Sequence, residues 1–145
     1  MSVSTDHVSV AATLAPLQMT RAGRVTLTTE ITPKAGIHVY APGSQYRAVR
    51  ITLPANSLFT VDGPPTYPKP VLYTFKPLNE TVPVYDGPVR LIARMALDAS
   101  RPLGAPLRRP LPVTLRASLD YQACDDRQCY LPESVPLRWT VIAMP

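Results

Sequence analysis

Apolar and polar residues alternate with a period of two along much of this chain. In RVTLTTEI, residues 24 to 31, Val25, Leu27, Thr29 and Ile31 share one side, while Arg24, Thr26, Thr28 and Glu30 take the other. The same period runs through Val89, Leu91, Ala93, Met95 and Leu97, and again through Val113, Leu115, Ala117, Leu119 and Tyr121. Near the C-terminus it places Val135, Leu137, Trp139 and Val141 together. Successive side chains of a strand point to opposite faces, so this pattern predicts strands with one buried face and excludes helix over the same segments. Shorter candidates are VSVAATL at 8–14, IHVYA at 37–41 and AVRITL at 48–53. Turn chemistry separates them at Ala22-Gly23, Lys34-Ala35-Gly36, Pro42-Gly43, Asp62-Gly63-Pro64-Pro65 and Asp86-Gly87-Pro88. Several short strands at such spacing predict an all-β fold: an immunoglobulin-like antiparallel β-sandwich of about eight strands.

Composition sharpens this picture. Eighteen of the 145 residues are proline, more than twice the usual share of ~5%, which is incompatible with a mainly helical protein. Six of them fall between Asp62 and Pro83, a piece expected to be an irregular loop too long for a tight hairpin and therefore functional or mobile. The length suits a single domain over residues 1–145, with residues 1–7 expected as a poorly ordered terminus. No apolar run is long enough to span a bilayer. The start, MSVSTDHVSVAA, has no basic segment followed by an apolar one, so a secretory signal is absent from the sequence. The net charge of +5 comes from scattered basic residues, of which only Arg108 and Arg109 are adjacent. No basic stripe interleaves with stacking aromatics, and nucleic acid is not an expected partner.

The candidate chemistry lies in YQACDDRQCYLPE, residues 121 to 133, which holds both cysteines, Cys124 and Cys129. In one extended strand they would lie ~16 Å apart, at ~3.3 Å per residue. A disulfide needs Cα atoms within about 7 Å. If the two bond, the chain must therefore reverse through Asp125-Asp126-Arg127-Gln128, a credible four-residue hairpin loop. The arms would be the strand ending at Tyr121 and the strand leading into Trp139. As a staple such a ring is weak, since closing so short a loop removes only about 2 kcal/mol of unfolded-state entropy. Spacing alone leaves a permanent structural bond and a working redox pair equally open. Two thiolates and His38 make at most three soft ligands, and His7 sits near the terminus, so neither a metal nor another cofactor is expected. A cysteine nucleophile with His38 as base lacks an assignable orienting acid. No GxSxG and no phosphate-cradling glycine loop occurs, and no small-molecule substrate is expected.

LDYQACDDRQCYLPE resembles the disulfide-bearing hairpin of the periplasmic N-terminal domain of the thiol:disulfide interchange protein DsbD. Two further pieces are similar to that family in the same order: GIHVYAPGSQYRAVRITLP, and YPKPVLYTFKPLNETVPVYDGPVRL. The similarity covers about residues 8 to 142, and the cysteine hairpin is its most specific part.

The resemblance implies an immunoglobulin-like, periplasmic electron-relay domain whose one disulfide cycles. Such a domain takes electrons from a membrane-tethered thioredoxin-like donor, part of a membrane-embedded partner. It passes them to periplasmic thioredoxin-like oxidoreductases, including those serving disulfide isomerisation and cytochrome c maturation. Carried onto this chain, Cys129 forms the mixed disulfide and Cys124 resolves it. A cap aromatic shields the sulfurs in the family; Phe75 is the best match, with Tyr73 and Leu78 as alternatives. His38 and Tyr40 fall at the aromatic positions near the site, and Tyr121, Asp125, Asp126 and Arg127 flank the pair. The family's cap carries acids beside its aromatic, whereas Thr74 and Lys76 stand here, which puts a carboxylate role in doubt. A thiolate is favoured by nearby positive charge, which Arg127 supplies and Asp125 and Asp126 oppose. The alternative is a non-catalytic interaction module with a permanent disulfide.

Overall fold

The computed structural model describes residues 1–19, 23–55, 57–97 and 108–145. In chain order its strands begin with β1 (Ser2–Ser4), β2 (Val8–Ala15), β3 (Gln18–Met19), β4 (Arg24–Pro33), β5 (His38–Tyr40), β6 (Arg50–Thr52) and β7 (Phe59–Val61). They continue with β8 (Val71–Phe75), β9 (Glu80–Tyr85), β10 (Val89–Leu97), β11 (Leu111–Tyr121), β12 (Ala123–Cys124) and β13 (Glu133–Ala143). Among the described residues no α-helix occurs, and one 3₁₀ turn spans Lys76–Leu78. The strand count exceeds eight because several pieces are only two or three residues long.

Two sheets face each other as an immunoglobulin-like sandwich. One is ordered β1-β2-β4-β10-β7, the other β3-β13-β11-β6. The alternation seen in the sequence is what closes them. Val8, Val10, Ala12 and Leu14 from β2, Val25, Leu27 and Ile31 from β4, and Leu91, Ala93, Met95 and Leu97 from β10 all turn inward. They meet Val113, Leu115, Ala117 and Leu119 from β11 and Val135, Leu137 and Val141 from β13 in one core. Trp139 is half-buried against that core. Pairing is antiparallel in both sheets except for β3, which runs parallel to β13. Residues 1–7, expected to be loosely held, are placed with β1 on the edge of β2, and the Met1 amino group donates to the Ala12 carbonyl at 3.0 Å.

A third sheet, β12-β5-β9-β8, is hydrogen-bonded separately from these two and carries Cys124, which bridges to Cys129. Its entry is set by a turn in which Ile37 N donates to Lys34 O at 2.9 Å. Gly36, at φ +78°, takes the third position, where an L side chain is strained. The segment 62–83, read from sequence as irregular throughout, forms a β-hairpin over its second half. Strands β8 and β9 pair from Val71↔Val84 to Phe75↔Glu80. Proline does not prevent this: Pro77 lies in the connecting 3₁₀ turn, and Pro83 uses its carbonyl to accept from Ala41 N at 3.0 Å. The predicted turn at Ala22-Gly23 lies partly outside the described residues.

One core position breaks the apolar rule. Thr29 on β4 is fully buried, and its Oγ1 finds no hydrogen-bond partner among the described residues. An unsatisfied buried hydroxyl costs about 1–3 kcal/mol, so Thr29→Val, which keeps the branched shape, is expected to raise unfolding free energy by about 1 kcal/mol. Urea denaturation of the two proteins checks this; a loss of stability shows that the hydroxyl is satisfied.

Candidate active site

Cys124 and Cys129 form a disulfide with Cα atoms 4.0 Å apart. The two residues face each other as an antiparallel bridge, so the chain does reverse between them. The reversal is held by Asp125. Its Oδ1 accepts from the backbone N–H groups of Arg127 at 2.8 Å and Gln128 at 2.7 Å, and its Oδ2 accepts from the Tyr130 hydroxyl at 2.6 Å. These bonds, the Tyr130 bond first, hold the Asp125 carboxyl down at about 2. The Tyr130 N–H donates to the Ala123 carbonyl at 2.9 Å, and the Tyr130 ring stacks on His7 with centroids 4.0 Å apart.

The arms differ from the expected hairpin. Strands β11 and β13 do pair, up to Tyr121↔Glu133. Beyond that point the chain leaves their sheet, and β12 pairs instead with β5 through Ala123↔Val39 and Cys124↔His38. This shift buries one cysteine and not the other: Cys124 is fully buried, whereas Cys129 is exposed.

Register decides what surrounds the sulfurs, because directly paired residues share a face and neighbours along a strand alternate. From Cys124↔His38, Tyr40↔Val84, Tyr73↔Val82 and Phe75↔Glu80, these eight residues all lie on one face of the third sheet. The opposite face, with Val39, Tyr85 and Ala123, joins the main core. On the cysteine side Tyr40, Val82, Val84 and Cys124 form a separate apolar cluster, with Tyr46 and Tyr73 packed against it.

Tyr40 is the polar centre of that cluster. Its hydroxyl oxygen lies 3.1 Å from the Cys129 sulfur and 3.1 Å from the Cys124 sulfur. A disulfide has no proton to give, so Tyr40 is the donor. Burial, with Tyr46 and Glu80 adding to it, pushes the Tyr40 phenol up to about 12, so it keeps its proton at neutral pH. His38 rests on the Tyr73 ring with centroids 4.1 Å apart, and burial lowers its imidazole against the raising effects of Asp86 and Asp125.

The remaining sequence candidates separate. Phe75 is buried at the end of β8 on the cysteine face, but outside the apolar cluster around Cys124. Leu78 is exposed on the 3₁₀ turn. Tyr121 points away from the sulfurs into the main core, and its hydroxyl donates to Glu133 and lies 2.8 Å from the Thr5 hydroxyl. Asp126 and Arg127 are exposed in the loop, and no ion pair engages either among the described residues. Sequence reasoning missed Tyr46, Glu80 and Tyr130. The first two meet only through the third sheet, and Tyr130 carried one usable signal, an aromatic directly after a loop cysteine.

Comparison with known proteins bears on the fold and the family. The family model described as thiol:disulfide interchange protein DsbD, N-terminal, matches residues 6–137. The crystal structure of the N-terminal periplasmic domain of ScsB from Proteus mirabilis superposes with a TM-score of 0.56 at 14% identity, covering 99% of this chain and 49% of that one. This chain thus spans about half the length of that relative. The reduced form of the Neisseria meningitidis DsbD N-terminal domain gives a TM-score of 0.50 at 16% identity, covering 93% of this chain and 90% of that one. No curated protein matches the chain. At such identities the solved structures speak for the fold alone, whereas the family match runs through the cysteine hairpin and nearly the whole sandwich: the chain belongs to the DsbD N-terminal domain family.

Proposed function

We propose that this domain is a periplasmic thiol–disulfide exchange module that relays electrons between thioredoxin-like proteins through Cys124 and Cys129. The observation that carries the reading is the asymmetry of the pair: an exposed Cys129, a buried Cys124, and one phenolic proton within reach of both sulfurs. A donor thiolate attacks Cys129 Sγ, the Cys124–Cys129 bond breaks, and Cys124 leaves as a thiolate. Burial disfavours that thiolate, and the Tyr40 O–H offsets the cost by donating to it. The donor's second thiolate then attacks its own sulfur in the mixed disulfide and releases Cys129. Two electrons have moved to this domain, two protons complete its dithiol, and the donor holds the new disulfide. The reverse sequence, started by the Cys129 thiolate, reduces an acceptor disulfide.

The donor in this reading is a membrane-tethered thioredoxin-like domain, and the acceptors are periplasmic thioredoxin-like oxidoreductases, including those of cytochrome c biogenesis. Among the described residues no helix is long and apolar enough to cross a membrane. In this reading Phe75, on the same face of the third sheet as Cys124, shields the disulfide, and Tyr73 packs against His38.

Equilibration of the oxidised protein with a graded glutathione or thioredoxin buffer tests the function. The disulfide is expected to have a potential well above the −300 mV limit, roughly, of structural bonds. Phe75→Ala is expected to speed reduction by a small thiol. A potential below that limit, with Phe75→Ala unchanged in rate, identifies a permanent bond in a non-catalytic module and overturns the reading.

A further inference from the structure

Glu80 and Tyr46 take no part in the exchange steps above, yet they complete the site. Tyr46, in the segment between β5 and β6, stacks on Tyr40 with ring centroids 4.7 Å apart and planes 21° from parallel. Its hydroxyl donates to Glu80 Oε2. Gln45 Nε2 donates to the other carboxylate oxygen at 3.4 Å. Glu80 opens β9, directly opposite Phe75 on β8. A continuous path therefore runs from the two sulfurs to the Tyr40 hydroxyl, through the stacked rings to the Tyr46 hydroxyl, and on to a carboxylate.

Packing alone does not ask for these residues. A stacked ring at position 46 needs no hydroxyl to fill space, and a half-buried carboxylate between two strands loses hydration. A charge-assisted bond to a fixed carboxylate, by contrast, sets the angle of a ring that would otherwise swing. That angle matters here because the Tyr40 hydroxyl has one proton and two sulfurs at equal distance. We propose that Tyr46 and Glu80 are positioning residues that hold the Tyr40 hydroxyl between the two sulfurs, so that its proton reaches whichever sulfur becomes the thiolate. This rests on the exchange function proposed above. It also gives a carboxylate a role on the second strand of the β8–β9 hairpin, although Thr74 and Lys76 flank Phe75 on the first.

The test is the pH profile of Cys129 alkylation by iodoacetamide in the reduced protein, read by peptide mass. Reduction of the wild-type disulfide by a thioredoxin-type dithiol is recorded first; a wild type that fails to exchange overturns the redox reading itself. Tyr40→Phe is expected to slow alkylation at pH 7 about tenfold, the lower end for a hydrogen bond to a charged group. Tyr46→Phe and Glu80→Ala are each expected to slow it about threefold, as partial losses of that same bond, and to move the profile's midpoint upward. Their double variant goes no further than either alone. Glu80→Gln keeps an acceptor for Tyr46 without its charge and is expected to fall between the wild type and Glu80→Ala. Wild-type profiles in Tyr46→Phe and Glu80→Ala overturn the positioning role and leave the exchange function standing. Faster alkylation in Glu80→Ala also overturns it, since relief of carboxylate repulsion alone gives that sign, as does a Glu80→Gln profile as slow as Glu80→Ala. Should Glu80→Ala fail to fold, the near-isosteric Tyr46→Phe decides the matter alone.

Discussion

Cys124→Ser is expected to accumulate a covalent complex with an oxidised thioredoxin-like partner, and Cys129→Ser is expected to form essentially none. The Cys129 thiolate attacks the partner disulfide, one partner sulfur leaves as thiolate, and a mixed disulfide remains. With Cys124 gone, nothing inside this domain can resolve it. In the reciprocal variant the remaining thiol is Cys124, which is fully buried under Tyr40, Val82 and Val84. A new sulfur–sulfur bond of about 2.05 Å cannot form there unless the partner enters the protein. Burial also disfavours the thiolate that must do the attacking. Non-reducing electrophoresis of each single variant, mixed with the oxidised partner, reads the result directly. Equal trapping by both variants refutes the polarity, and trapping by neither removes the exchange function.

The difference in burial between the two cysteines is not visible in the residues, which sit symmetrically around four polar ones; only the family resemblance tells their roles apart. The difference arises because the chain changes sheets after Tyr121, and the cause lies in β5, where His38, Val39 and Tyr40 are all buried. IHVYA at 37–41 is legible as a strand, but a strand covered on both faces has no alternation to show which sheet it joins. The two residues of β12 are too few to give a signal. The two large sheets were legible for the opposite reason. Each of their strands β2, β4, β10, β11 and β13 keeps one wet face, and the alternation in each matches the burial pattern almost residue by residue. The cysteines, His38 and Tyr40 were also legible, the first by their type and the others through the family resemblance. Glu80 was not, because the bond from Tyr46 that gives it meaning spans 34 positions along the chain. The proline-rich stretch forms a hairpin against its composition because proline excludes only those strand positions that must donate.

Asp120→Ala is expected to lower unfolding free energy at pH 7 by about 2–3 kcal/mol, since it removes hydrogen bonds to a buried charged group. In a chain of this size that is a fall of roughly 5–10 °C in Tm. Asp120 is buried on β11 just before the chain changes sheets. Its Oδ2 accepts from Thr52 on β6 at 2.6 Å, its Oδ1 accepts from Ser134 on β13, and the Arg50 guanidinium lies 3.7 Å away. One carboxylate thus ties both neighbouring strands to β11. Burial by itself would raise this carboxyl, but the bonds from Ser134 and Thr52 and the charge of Arg50 outweigh it and leave it below the usual range. A depressed folded-state carboxyl contributes stability above its unfolded value, ~3.9 for aspartate, and loses that contribution as pH falls through the folded value. The gap between wild type and Asp120→Ala should therefore be full at pH 7 and narrow as the pH drops below about 4. Urea unfolding of both proteins at pH 7, 5 and 3 measures it. A gap that stays constant to pH 3 would mean that Asp120 stabilises the sheet through packing, and that its charge contributes nothing.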